Sequence, residues 1–82
     1  MALPRKKTVT LTGIVIPADW NDDQEVIAAS LATADEKEYR ICSTKKGKEL
    51  LGVLQHEVEA TGILERDEKG RNIITVRHYI VK

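Results

Sequence analysis

The sequence has 82 residues, of which 41% are hydrophobic and none is Phe, and its 13 basic residues balance 13 acidic ones. This length predicts one domain with a modest core, and the zero net charge disfavours a protein devoted to holding a phosphate backbone. The single cysteine, Cys42, excludes an internal disulfide and a cysteine-based zinc site.

The first predicted element is a strand over residues 8–16, where TVTLTGIVI alternates threonine with apolar residues. A flexible basic arm over residues 1–7 is expected to precede it. Gly13 predicts a bulge or bend in the strand. Pro17 is expected to end the regular ladder before the turn ADWNDD.

The next segment, QEVIAASLATAD, fits two structures. As a helix it forms one apolar stripe behind a capping box made by Asp22 and Glu25. As a strand it points Ile27, Ala29 and Leu31 inward. The local pattern slightly favours the helix.

The second half of the chain predicts a strand in EYRICS, a helix in TKKGKELLGVLQ and two final strands. Thr44 is a suitable helix cap, although Gly47 and Gly52 weaken the helical prediction. The last two strands, over residues 56–65 and 72–81, are joined by a polar turn that contains Gly, which predicts a hairpin.

Four segments resemble small bacterial OB-fold domains: TLTGIV at 10–15, SLATADEKEYRI at 30–41, GKELL at 47–51 and VEATG at 58–62. The resemblance covers residues 8 to 82. It implies an all-β fold with one short helix, a five-stranded Greek-key barrel of order β-β-β-α-β-β. It also implies that the ambiguous segment is a strand. These motifs mark an architecture and not a catalytic device.

The loop after the first strand has the beginning of a calcium-binding spacing, in Asp19, Asn21 and Asp23. The spacing then fails, because Gln24 stands where the motif needs Gly and Ser30 where it needs Glu. A solvated acidic turn is therefore the favoured interpretation, with no metal.

Trp20 lies in the same loop, which the resemblance places beside the ligand face of the barrel. An aromatic side chain there can pack on its own barrel, contact a protein partner, or stack on a base. The neighbouring acids disfavour the third role, since they would repel a phosphate backbone.

The resemblance places the ligand face on the outer surface of strands two and three. By alternation that face shows Ala28, Ser30, Ala32, Glu38, Arg40 and Cys42. OB-folds that bind single strands usually carry aromatic and basic residues there. Arg40 is the one basic residue of this set, so a small and weakly polar surface of this kind suits a protein partner at least as well.

Basic residues occur in three other places. They are Arg5, Lys6 and Lys7 in the arm, Lys45, Lys46 and Lys48 at the helix start, and Arg77, His78 and Lys82 on the last strand. If the barrel brings them together, they form a basic end that binds nucleic acid weakly and in a salt-sensitive way. Scattered solvated lysines are the alternative.

The residues able to act as nucleophile or base are His56, His78 and Cys42, and they belong to no catalytic or metal-binding motif. KKGKEL lacks the spacing of a phosphate-binding loop. No signal peptide or membrane span is predicted. We therefore expect a cytoplasmic, non-enzymatic binding module without cofactor.

The predicted ligand-binding residues are Trp20, Arg40, Lys45, Lys46, Lys48 and Arg77. The first hypothesis for the ligand is single-stranded nucleic acid, by analogy of fold. The alternative is a protein partner that contacts the strand two–three face or the Trp20 loop. A small ligand in the barrel mouth is a third possibility.

Overall fold

The computed structural model describes residues 7–82, which form a closed barrel of five strands. The strands are β1 (Lys7–Trp20), β2 (Val26–Thr33), β3 (Glu38–Ile41), β4 (Glu57–Arg66) and β5 (Asn72–Val81), and helix α1 (Lys45–Glu49) follows β3. The order around the barrel is β1-β2-β3-β5-β4, with β3 and β5 parallel. The predicted element order and closed barrel are confirmed, and they are compatible with an OB-like fold.

Strand β1 begins at Lys7, which pairs with Leu64 of β4. Lys7 therefore belongs to the barrel and not to the predicted arm; the rest of that arm, residues 1–6, lies outside the described residues. The strand changes partner along its length: its first half, through Ile14, pairs with β4, and from Gly13 onward it pairs with β2.

Gly13 and Ile14 pair with both neighbours of β1, and Gly13 lies between Thr33 on one side and Val58 on the other. No register shift occurs there, so the position is not a bulge. A Cβ at Gly13 would overlap the carbonyl oxygen of Ala32. Only Gly permits this close approach of two backbones.

Although the strand itself continues to Trp20, Pro17 ends the regular ladder, as predicted. It pairs with Ala29, and β1 continues to Trp20 with irregular register on both sides of Asp19. Proline is tolerated at this position because the pairing of β1 with β4 has ended at Ile14. The N–H that proline lacks would therefore have had no partner on β4.

The ambiguous segment 25–34 contains the strand β2 and no helix. It hydrogen-bonds to β1 on one side and β3 on the other, and this tertiary pairing outweighs the helical pattern. Ala29 and Leu31 are buried as expected, whereas Ile27 is 48% exposed. The inward prediction fails for Ile27, which lies beyond residues 30–32, the part of β2 that pairs with β3.

The predicted helix is shorter than its sequence pattern. Thr44 caps it as expected, its hydroxyl oxygen accepting the N–H of Gly47 at 3.2 Å, but α1 ends at Glu49 and a 3-10 turn covers Leu50–Val53. Leu50 is fully buried, and the neighbouring leucines pack against the same core. The short helix thus serves to hold Leu50 in the barrel.

The core lies inside the barrel, where every strand contributes side chains. Its residues are Val15, Ala29, Leu31, Tyr39, Ile41, Leu50, Val58, Ala60, Ile74 and Val76. The alternation predicted for β4 is confirmed at Val58, Ala60 and Gly62, and its hairpin with β5 is also confirmed.

The three hairpin turns share one construction. They span residues 21–25, 33–37 and 67–71. In each, the first N–H donates to the fifth carbonyl and the fourth N–H donates to the first carbonyl. The fourth residue has positive φ: 64° at Gln24, 64° at Glu36 and 80° at Gly70. This is a three-residue hairpin loop with a left-handed residue, which fixes the register of the strands.

Candidate functional site

A cleft of about 350 Å³ opens on the outer face of β2 and β3. We call it the strand cleft, and it is lined by Ala18, Ser30, Glu38, Arg40, Gly70, Arg71 and Asn72. Its volume is within the range of small-ligand sites. The described residues thus contain a concave surface on the face that the sequence predicted.

Strand pairing explains why these residues meet. Ser30 of β2 lies directly opposite Arg40 of β3, and Arg40 lies beside Ile73 at the start of β5. Because β3 and β5 are parallel, the turn that precedes β5 is brought to the beginning of β3. The 67–71 turn therefore forms one wall of the strand cleft.

The predicted ligand face is only partly exposed. Glu38 and Arg40 line the strand cleft, and Ser30 is 1% exposed and lies at its base. Ala28, expected on the open surface, is 8% exposed and lines a separate small crevice with Gly47 and other residues near α1. The expectation of a flat strand surface is wrong here, because the helical segment packs over this end of β2.

Arg40 is the predicted site residue that reaches the strand cleft. Its side chain is half-buried, and within residues 7–82 its guanidinium forms no ion pair. Glu38, two residues earlier on the same face of β3, is exposed. The strand cleft therefore presents an arginine that has no ion pair within residues 7–82 beside an exposed carboxylate.

Arg71, on the opposite wall, already has a partner. Its Nε lies 2.7 Å from Oδ2 of Asp67, while Oδ1 of Asp67 accepts the N–H groups of Lys69 and Arg71 at 2.9 and 2.8 Å. These contacts favour the charged carboxylate. The pKa of Asp67 is lowered from 3.8, chiefly by the backbone N–H of Arg71 and also by the Arg71 guanidinium and the Lys69 N–H. Desolvation of the carboxylate opposes this lowering of the pKa.

Replacing Asp67 with Asn should lower the melting temperature at neutral pH, and Asp67→Ala should lower it further. Asn keeps a backbone acceptor but loses the charge, whereas Ala loses both. Because the folded pKa is below the unfolded value, the carboxylate stabilises the fold above that value and loses this effect as the pH falls through the folded pKa. Thermal unfolding of the three proteins at several pH values tests this.

The difference between wild type and Asp67→Asn should narrow as the pH falls below 3.8, the ordinary pKa of the group. A difference that stays constant with pH would mean that the charge of Asp67 does not stabilise the turn.

Trp20 lies at the end of β1 opposite Val26 and does not line the strand cleft. Its side chain is 52% exposed and is not among the residues packed against the core. The interpretation in which it caps its own barrel is therefore wrong. An exposed aromatic residue on a hairpin end remains available for an outside contact.

The acidic loop beside Trp20 uses its oxygens within the turn. Asn21 Oδ1 accepts the N–H groups of Asp23 at 2.9 Å and Glu25 at 3.0 Å, and Asp19 Oδ1 accepts that of Trp20. Across residues 7–82, no three His, Cys, Asp or Glu side chains come together as a metal-ligand group. The interpretation as a solvated turn accounts for these contacts.

The predicted basic end is only partly assembled. Lys46 on α1 lies 3.7 Å from Glu49 and 5.9 Å from the ring centroid of Tyr79, whose hydroxyl donates to Glu49 at 3.1 Å. Desolvation raises the pKa of Tyr79, and the Glu49 carboxylate adds to this effect. These contacts bring α1 close to the last residues of β5.

The predicted ligand-binding residues therefore separate into groups. Arg40 is beside Ile73 at the start of β5, whereas Lys46 lies against Tyr79, roughly 20 Å further along that strand at the usual rise per residue. Arg77 is exposed at the irregularity between β4 and β5. Of the predicted ligand-binding residues, only Arg40 lines the strand cleft.

The candidate nucleophile and bases lie apart in the barrel. His56 is exposed just before β4, and exposed His78 pairs with Thr61, roughly 15 Å along β4. Cys42 is half-buried after the end of β3.

Sequence reasoning missed one wall of the strand cleft, formed by Gly70, Arg71 and Asn72. These residues were interpreted only as a polar turn. The parallel pairing of β5 with β3 was the available signal, because it places the residues before β5 at the start of β3.

Among the described residues, α1 and the turn after it lack the length and apolar character of a membrane-crossing helix. Comparison with protein-family models, with curated proteins and with solved structures gave no match to this chain. The geometry of the barrel and the chemistry of the strand cleft are therefore what supports a functional assignment.

Proposed function

We propose that this chain is a non-enzymatic binding module of the OB type, and that it takes its ligand in the strand cleft. The observation that carries the proposal is the convergence of β2, β3 and the 67–71 turn on one cavity of about 350 Å³. OB-folds take their ligands at the equivalent strand surface. A bacterial, cytoplasmic origin is part of the proposal and agrees with a chain whose lone cysteine forms no internal disulfide.

Single-stranded nucleic acid is the ligand suggested by analogy of fold, which is an associational argument. Arg40, which lines the strand cleft, favours an anionic ligand there. Against this, none of its lining residues is aromatic, so a base would find no stacking surface there. Binding to nucleic acid through this surface should be weak and sensitive to salt.

A protein partner is the second candidate, favoured by the exposure of Trp20. Half of this side chain is accessible at the end of the β1–β2 hairpin. Tryptophan is enriched among the residues that dominate protein interfaces. The partner can therefore contact the Trp20 hairpin end, the strand cleft or both.

Titrating the ¹⁵N-labelled protein with octathymidylate at low salt tests the location of the binding surface. We expect the largest amide shifts at Ser30, Arg40 and Gly70, together with weak binding that high salt removes. Arg40→Gln should weaken it several-fold. Arg77→Gln is the matched control, since it removes the same charge from an exposed site outside the strand cleft.

Shifts confined to Lys45, Lys46, Lys48 and Arg77 would instead place nucleic-acid binding at the predicted basic end and contradict the cleft assignment. Quenching of Trp20 without any shift in the strand cleft would indicate that the hairpin end is the contact surface.

A further inference from the structure

The charge arrangement in the strand cleft gives information about its ligand. Arg40 is half-buried and, among residues 7–82, has no carboxylate within ion-pair distance. A guanidinium without an ion-pair partner can bind an anion through a paired, charge-assisted hydrogen bond. Arg40 is therefore the group in the strand cleft that favours an anionic ligand.

Arg71 has a different role, although it lines the same cavity. Its guanidinium is held by Asp67 at 2.7 Å and its side chain is 63% exposed. Its charge is already compensated by that carboxylate. Among residues 7–82, the strand cleft therefore offers Arg40 as its unpaired cation, which suits a ligand with a single anionic group better than a chain of phosphates.

The remaining polar groups of the strand cleft include both hydrogen-bond donors and hydrogen-bond acceptors. Glu38 accepts only, whereas Ser30 and Asn72 both donate and accept. A phosphodiester backbone supplies acceptors and repeated negative charge, so Glu38 would repel it. A peptide supplies N–H donors for Glu38 as well as acceptors for Asn72.

We infer that the strand cleft binds a protein segment through one of its carboxylates, which pairs with the guanidinium of Arg40. This inference rests on the proposed function and specifies its ligand class. In it, the carboxylate lies between Arg40 and the Ser30 side of the cleft, and the N–H groups of the segment face Glu38. The absence of aromatic lining residues, unfavourable for bases, does not oppose a peptide of small side chains.

The test uses an acetylated, amidated pentapeptide with Glu at its centre and Ala elsewhere, and the same peptide with Gln in place of Glu. Amide shifts in ¹⁵N spectra of the full chain give the affinities. We expect the Glu peptide to shift Ser30, Arg40 and Asn72 and to bind roughly tenfold more tightly than the Gln peptide. Glu38→Gln should tighten binding of the Glu peptide, because it removes a like charge.

Variants of Arg40 test whether its guanidinium is the group that pairs with the carboxylate of the Glu peptide. Arg40→Gln should weaken the Glu peptide about tenfold and leave the Gln peptide unchanged, as expected for coupled groups in a double-mutant cycle. Arg40→Lys should retain part of the affinity for the Glu peptide. Retained binding would also show that the fold tolerates a substitution at residue 40. Lys37→Gln, which removes a positive charge from an exposed position that does not line the strand cleft, should bind both peptides like wild type.

Three outcomes would overturn the inference. Equal binding of the two peptides would show that the carboxylate is not recognised, and equal shifts with sodium acetate at the same concentration would indicate an adventitious anion only. Displacement of the Glu peptide by a lower concentration of octathymidylate would assign the strand cleft to nucleic acid, leaving the proposed binding module intact. If neither peptide nor oligonucleotide shifts the strand cleft, the proposed function fails as well.

Discussion

Replacing Leu50 with Ala should lower the free energy of unfolding by about 2 to 5 kcal/mol. Leu50 has no exposed surface and belongs to the core cluster. A chain of this size has a total stability of roughly 4 to 12 kcal/mol, so the variant should lose a large part of its stability. Urea unfolding followed by far-ultraviolet circular dichroism measures the loss.

Two further substitutions, one at Leu51 and one at Leu50 itself, are controls for the loss of stability in Leu50→Ala. Leu51→Ala removes the same atoms from a half-buried position and should cost clearly less. Leu50→Met keeps most of the volume and should cost less than about 1.5 kcal/mol. If Leu51→Ala proves the more damaging variant, the 3-10 turn does not hold Leu50 in the barrel as described.

Replacing Gly62 with Ala should destabilise the barrel by about 1 to 3 kcal/mol. Gly62 is buried in β4 next to the register shift with β5, where the two backbones approach closely. A Cβ there would overlap the carbonyl oxygen of Thr75 and lie 2.9 Å from the Cα of Val76. These are backbone atoms, so relief requires the two strands to separate.

Gly52→Ala is the matched control for this prediction, since it adds the same methyl group to a position with nothing within 4 Å. Gly52 is exposed in the 3-10 turn. The substitution should leave the stability unchanged or raise it by about 0.5 to 1 kcal/mol. Equal losses in the two variants would show that close strand approach is not the reason for Gly62.

The two sets of measurements also bear on function. The strand cleft is built from backbone pairing, so its shape depends on an intact barrel. Variants that lower stability should weaken ligand binding only in proportion to their unfolded fraction. Arg40→Gln is expected to behave differently, because it should weaken binding while the barrel remains folded.

The sequence determined most of the architecture by itself. Period-two alternation identified β4, the polar turn with Gly identified its hairpin with β5, and Thr44 marked the helix start that the structure shows. The segment 25–34 was the exception, because its residues fit either periodicity. Only pairing with β1 and β3 on both edges gave it a strand conformation, and the resemblance to OB-fold domains anticipated that result where local pattern did not.

Tertiary structure alone decided the candidate site. Arg40 and the turn residues Gly70 to Asn72 are about thirty positions apart in sequence, and they meet because β5 runs parallel to β3. The same geometry left Trp20 exposed and separated Arg40 from the lysines of α1. Periodicity reports which face a side chain occupies on its own strand, whereas the meeting of distant residues depends on how the strands close into a barrel.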